Sequence, residues 1–414
     1  MTMIRPFAAI HPRKELGREI AALPYDVFTR REALDEIANH PRSFLRIDLP
    51  ETNFDDSVPP DDDRVYQKAG ELFAQMLESG EFVQEEEPCY FIYELTMNGH
   101  VQNGIVGCVA VDEYLNGTIK RHENTREDKE KDRIRHIDTM SAHTGPVYLA
   151  HRLNHSVADV IRHVKEEKEP LYDFTTRDDI RHRVFLVDRG RDIDNITFAY
   201  ANTPCMYIAD GHHRAASAVR VAQMRRESHP RWTGKEEFNY FMAVMFSEEE
   251  LQIMPYNRAV KDLNWLTTVK VLAAIEKSAT CLQEDFFGIA PKKKGQFAMF
   301  LDDKWYLYEF HDELKNDDPV EGLDVSLLQK YILEPVFAIK DPRRDKRISF
   351  VGGNRGLEGL ERRCEEGYKV AFAMYPTSMD EFLTVADAGL LMPPKSTWFE
   401  PKLLSGMFIH KIED

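Results

Sequence analysis

The sequence has little cysteine, no excess of positive charge and no long apolar run, and each shortage removes a class of protein. Five cysteines, Cys89, Cys108, Cys205, Cys281 and Cys364, lie far apart with no C-x-x-C pair. That excludes a disulfide scaffold and the usual zinc spacings, and fits a reducing compartment. Lys and Arg number 54 against 71 Asp and Glu, a formal net charge of -17. A nucleic-acid binder shows a basic footprint instead. The same balance opposes an anionic membrane surface, yet leaves room for a local basic pocket that takes one small anion. No apolar run approaches membrane length, and the opening MTMIRPFAAIHPRKE is too short in apolar residues for a signal peptide. The expectation is a cytoplasmic protein without nucleic-acid or membrane partners. No G-x-x-x-x-G-K-[ST] and no G-x-S-x-G is present, which removes P-loop enzymes and the serine-hydrolase elbow.

What is present describes an ordinary globular chain of 414 residues, 43% hydrophobic and 30% charged. That length predicts two or three domains. IRPFAAI and SFLRIDL read as strands, and Thr29 with Glu32 forms a capping-box pattern. CYFIYELTMNGHVQNGIVGCVAV is a hairpin about Asn98-Gly99. Beyond Thr118 runs a very charged helix, with Thr125 and Asp128 as candidate caps, then strands VFLVD, CMYIA and FNYFMAVMF between helical stretches. From Asp262 the pattern predicts a helix over Trp265–Lys277, a hairpin FAMFLDDKWYLYEF, a helix DVSLLQKYILEPV and a last strand–helix unit. Strands alternating with helices predict a mixed α/β (α+β) fold. Soft boundaries divide it into an N-terminal α/β region with a hairpin over 1–117, a core over 118–261 and a C-terminal α/β lobe over 262–414.

The most informative stretch is CMYIADGHHRAASAVRVAQMRRE, Cys205 to Glu227. An apolar strand breaks at Asp210-Gly211, and a helix follows with Ala215, Val219 and Ala222 on one face. Asp accepts free first-turn amides and Gly permits a tight turn. His212, His213 and Arg214 then place basic groups at the positive end of a helix, which is unfavourable unless an anion sits there. Two readings fit: a phosphate held by amides and cations together, or a capped turn with solvated basic residues. His212 and His213 are adjacent on a helix and point apart, so the pair by itself is a poor metal site. Glu123, in KRHENT, is either a general base flanked by Lys120, Arg121 and His122 or one acid on a solvated face. SFVGGNRGLEG over Ser349–Gly359 lacks G-x-G-x-x-G spacing and reads as a tight strand-to-helix turn.

IADGHHRAASA resembles the D-G-H-x-R helix start of the ParB/sulfiredoxin-like superfamily, in which that turn holds nucleotide phosphates. Within that superfamily the chain is similar to the free serine kinases through three segments in order: KRHE, DGHHR and MPPKSTWF. Its length and order also resemble a large bacterial and archaeal family carrying a domain of unknown function. The resemblance covers roughly Thr118 to Asp414. It implies a nucleotide-binding core with an added N-terminal region and a C-terminal substrate lobe. It implies phosphorylation of free L-serine, or a similar small hydroxyl compound, to O-phosphoserine with ATP or ADP and Mg²⁺. Glu123 is then the base, and Asp210 orients the hydroxyl or holds Mg²⁺. Gly211, His212, His213 and Arg214 handle the phosphates, while Lys395, Ser396, Thr397 and Arg258 contact substrate. Trp398 and Phe399 stand where the kinases have Arg and His. A non-catalytic nucleotide-binding regulator is the alternative. A sulfiredoxin-like redox enzyme needs a Cys in the motif, where His212 stands instead. Donor identity and oligomeric state stay open.

Overall fold

A computed structural model describes residues 2–413. The chain divides into two compact units, one comprising Met1–Leu251 with Pro401–Asp414 and the other Gln252–Glu400.

The first unit is built on a nine-stranded mixed sheet. In spatial order its strands are Ile119–Lys120, Met206–Asp210, Val147–His151, Tyr240–Ser247, His100–Ala110, Tyr90–Met97, Arg181–Val187 and Tyr172–Thr175, with Ile4–Arg5 also paired to His100–Ala110. Met206–Asp210 runs parallel to Ile119–Lys120, and Tyr240–Ser247 parallel to Val147–His151; the other pairs are antiparallel. The central strand Tyr240–Ser247 is buried from Tyr240 to Phe246, as a strand covered on both faces must be. Helices His155–Glu167, Gly190–Ala201 and His212–Ser228 contribute Val160, Ile196, Ala215 and Val219 to one core with the strand residues Ile92, Leu149 and Ile208. The Asn98-Gly99 turn closes the hairpin with both residues at positive φ, 52° and 80°, and pairs Met97 with His100. The Thr29–Glu32 capping box forms as the sequence predicts.

Three local expectations change. SFLRIDL is not a strand: Leu45–Asp48 is a helical turn, with Phe44, Leu45 and Ile47 buried beside residues of the helix Asp63–Glu78. An apolar run this short satisfies either period, and the Asp48 main-chain carbonyl and carboxylate are taken by Arg133 and Thr144 rather than by a neighbouring strand. The charged helix starts at Glu127 without a side-chain cap; Thr125 instead hydrogen-bonds the Glu130 carboxylate. The helix expected from Trp265 begins at Thr268, because Asn264 and Trp265 are both left-handed, φ 50° and 63°.

The second unit is a six-stranded antiparallel sheet ordered Ala279–Asp285, Lys304–Phe310, Gln296–Leu301, Val370–Met374, Tyr256–Val260 and Ile348–Gly352. Its hairpin turns at Asp302-Asp303, both at positive φ, and Ser378 with Glu381 caps the helix Met379–Asp387. Among the described residues no helix is long and apolar enough to cross a membrane.

Two buried histidines of the first unit predict its acid response. Burial holds His136 down to about 4 and His182 down to about 3, from an ordinary 6.5. Both folded values are depressed, so protonation favours the unfolded chain. Their contribution is whole above pH 6.5 and drains as pH falls towards 4 and then 3. Thermal melts should show a midpoint falling through that window; a midpoint flat down to pH 4 would show that the imidazoles protonate in place.

Candidate functional site at the start of the motif helix

The sheet order brings together residues far apart in sequence. Met206–Asp210 is hydrogen-bonded in parallel to Ile119–Lys120, so the chain leaving Lys120 passes beside the chain leaving Asp210. His122 and Glu123 therefore meet His212 at the start of the helix His212–Ser228. Ligand atoms of His122, Glu123 and His212 all lie within 4.8 Å of one another. The two imidazoles are 4.5 Å apart between centroids at 77°, edge to face.

Gly211 sets the helix start. It is the residue before the helix and sits at φ 88°, the left-handed region. Its N–H donates to the Asp210 carboxylate at 2.8 Å. Asp210 thus caps its own turn, as expected of an Asp before Gly. Burial pushes the Asp210 carboxyl up. Lys402, 3.1 Å away, and Arg214, at 3.9 Å, outweigh burial and hold it well below the usual carboxylate range. Arg214 also donates to the carbonyl of Pro146.

The histidines divide the work. Burial keeps His122 neutral, lowering it to about 4, against smaller opposing effects of an Ile208 main-chain hydrogen bond and Asp210. His212 is lowered as well, by burial first and then by His122. Its Nε2 is buried and makes no hydrogen bond. His213 accepts from the Arg126 N–H at 2.9 Å through Nε2 and so anchors the entry of the charged helix. Neutral imidazoles at a helix N-terminus remove the electrostatic conflict posed by the sequence. Arg214 and Lys402 carry positive charge beside Asp210 at this turn.

Glu123 and Asp210–Arg214 thus share one neighbourhood of the first unit. Arg258, Lys395, Ser396 and Thr397 lie in the second unit. There Arg258 is buried and donates to the Lys395 carbonyl at 3.0 Å, and burial lowers its guanidinium to about 10. Lys395 is left-handed, φ 60°, and the Ser396 hydroxyl donates to the Pro393 carbonyl at 2.6 Å. The Ser396 carbonyl accepts from Thr377 at 2.9 Å, which fixes the connector after Pro393-Pro394. Trp398 lies in a short strand, Trp398–Glu400, paired with Gln252–Met254.

Lys402 is the residue that sequence reasoning missed. No motif surrounds it, and 192 positions separate it from Asp210. The burial of His122 was missed as well, since a His inside a charged run reads as solvated.

A mixed α/β protein with a strand–glycine–helix turn flanked by Arg214 and Lys402 is the class that fold and site define. The chain belongs to the protein family of unknown function DUF1015, whose model matches residues 4–326. No curated protein matches it significantly. Among solved structures, a mutant free serine kinase in complex with AMP is 13% identical, over 73% of this chain and 91% of that one, with a TM-score of 0.35. A mutant free serine kinase in complex with ADP is 15% identical over the same shares, TM-score 0.35. SbnI with a C-terminal truncation, from Staphylococcus aureus, is 11% identical over 72% and 85%, TM-score 0.36. Likenesses this distant carry no argument about the site.

Two substitutions test the turn. Gly211→Ala puts a methyl at φ 88°, 3.1 Å from Arg214 Nε. It should cost about 1–2 kcal/mol in denaturant unfolding, with Gly211→Asn costing less. Lys402→Met removes the nearer cation from a carboxylate only about a quarter exposed. It should cost about 1–3 kcal/mol at neutral pH, a penalty that shrinks as Asp210 is protonated at low pH. A penalty independent of pH would show that the pair is not what Lys402 contributes.

Proposed function

We propose that the protein is a nucleotide-dependent phosphotransferase acting on a small hydroxyl compound, with free L-serine as the first acceptor to test. One observation carries the reading: KRHE and DGHHR, almost ninety residues apart, converge so that Glu123 lies beside the first residue of the motif helix. Phosphoryl transfer needs a carboxylate near the hydroxyl and positive charge around the phosphate, and little covalent chemistry from the protein. The start of the motif helix, with Arg214 and Lys402, supplies the second; Glu123 supplies the first. The turn is then that of the ParB/sulfiredoxin-like core, a reading that rests on the three sequence segments.

In the step so derived, the acceptor oxygen forms a bond to the terminal phosphorus of ATP or ADP. The bond to the leaving nucleotide oxygen breaks, and the hydroxyl proton passes to the Glu123 carboxylate. Asp210 is proposed to position the hydroxyl. Mg²⁺ fits poorly. It takes oxygen ligands, and the carboxylate assigned to it, Asp210, is already balanced by Lys402 and Arg214.

The purified chain with L-serine and either ATP or ADP should yield O-phosphoserine, read by mass spectrometry. Glu123→Gln should lower the rate roughly 100- to 10,000-fold with nucleotide binding kept. Nucleotide binding without product from any small hydroxyl acceptor would instead favour a regulator that uses the same turn as a switch.

A further inference from the structure

We propose that His122, Glu123 and His212 bind a divalent first-row transition-metal ion, of the zinc, manganese or iron(II) kind, in place of an all-oxygen magnesium site. The three side chains arrive from two segments and are the only group among the described residues that could hold a metal with three such ligands. Two imidazoles and one carboxylate form a nitrogen-rich set that suits borderline ions; Mg²⁺ is served by carboxylates, phosphates and water. Metal–nitrogen and metal–oxygen bonds of about 2.0–2.2 Å would draw the ligands to roughly 3–3.5 Å apart. Side-chain rotations on the order of 1 Å close the present spacing to that.

Two further observations point the same way. His212 is 7% exposed, and its Nε2 has no hydrogen-bond partner, a costly arrangement for a buried polar atom. His122, 2% exposed, is hydrogen-bonded to the Ile208 main chain, the kind of outer contact that orients metal-binding histidines. Asp210 adjoins the cluster without belonging to it, and its charge is already met by Lys402 and Arg214. A metal held by three protein ligands keeps open positions for further ligands.

The inference stands on geometry and is independent of the phosphotransferase reading. A carboxylate bound through one oxygen keeps its other for a proton, so both can hold. The test uses the full chain, stripped with a chelator and titrated with Co²⁺ and with Zn²⁺ in the absence of nucleotide. One ion per chain is expected, with visible Co²⁺ absorption, imidazole scattering in X-ray absorption of the zinc-loaded wild type, and no displacement by millimolar Mg²⁺. Glu123→Gln and His212→Ala should weaken binding about 10- to 100-fold or more, with circular dichroism of the metal-free variants unchanged. Failure of the wild type to retain an ion, absence of imidazole scattering, or ready displacement by Mg²⁺ would each overturn it. Phosphoserine formation by protein that binds no transition metal would overturn this inference alone.

Discussion

The Asp210 carboxylate, gripped by Lys402 and Arg214 and donated to by Gly211, is the interaction on which the site depends. It ties the end of a sheet strand, the start of a helix and the C-terminal segment to one point. Burial alone would drive that carboxyl towards its neutral form; the two cations keep it charged. The return of the chain at Pro401 is reinforced by main-chain bonds between Ala22 and Ser405 and between Ile10 and Ile409. A segment that looks like a tail is therefore part of the first unit's structure.

The second constraint is the parallel pairing of Met206–Asp210 with Ile119–Lys120. Parallel neighbours leave a sheet on the same edge, so whatever follows each strand shares one rim. This rim collects His122, Glu123, Gly211 and His212. Ligand sites at such edges follow from chain direction, before any side chain is chosen. The side chains then decide the chemistry: two buried neutral imidazoles, one carboxylate, and two cations set around Asp210.

Local signals were legible wherever a few residues decide the conformation. Asn98-Gly99 demanded a hairpin, Thr29 formed a capping box with the Glu three residues on, and Asp210-Gly211 demanded a turn between strand and helix. Errors fell where a short window admits two answers. SFLRIDL satisfies both periods, and its helical turn is settled by partners Arg133 and Thr144, far away in sequence. Trp265 has helix-compatible neighbours but occupies a left-handed loop.

By itself the sequence determined the class of fold, the turn that opens the motif helix, and the residue types able to handle an anion there. These follow from dihedral preference and hydrophobic period, which act within a few residues. Only the tertiary structure decided that His122 is buried against His212, that Lys402 reaches Asp210, and that Arg258 is committed to the Lys395 carbonyl. Each of those joins positions from 90 to 192 apart. Their contact is set by strand order and chain direction, which no local window contains.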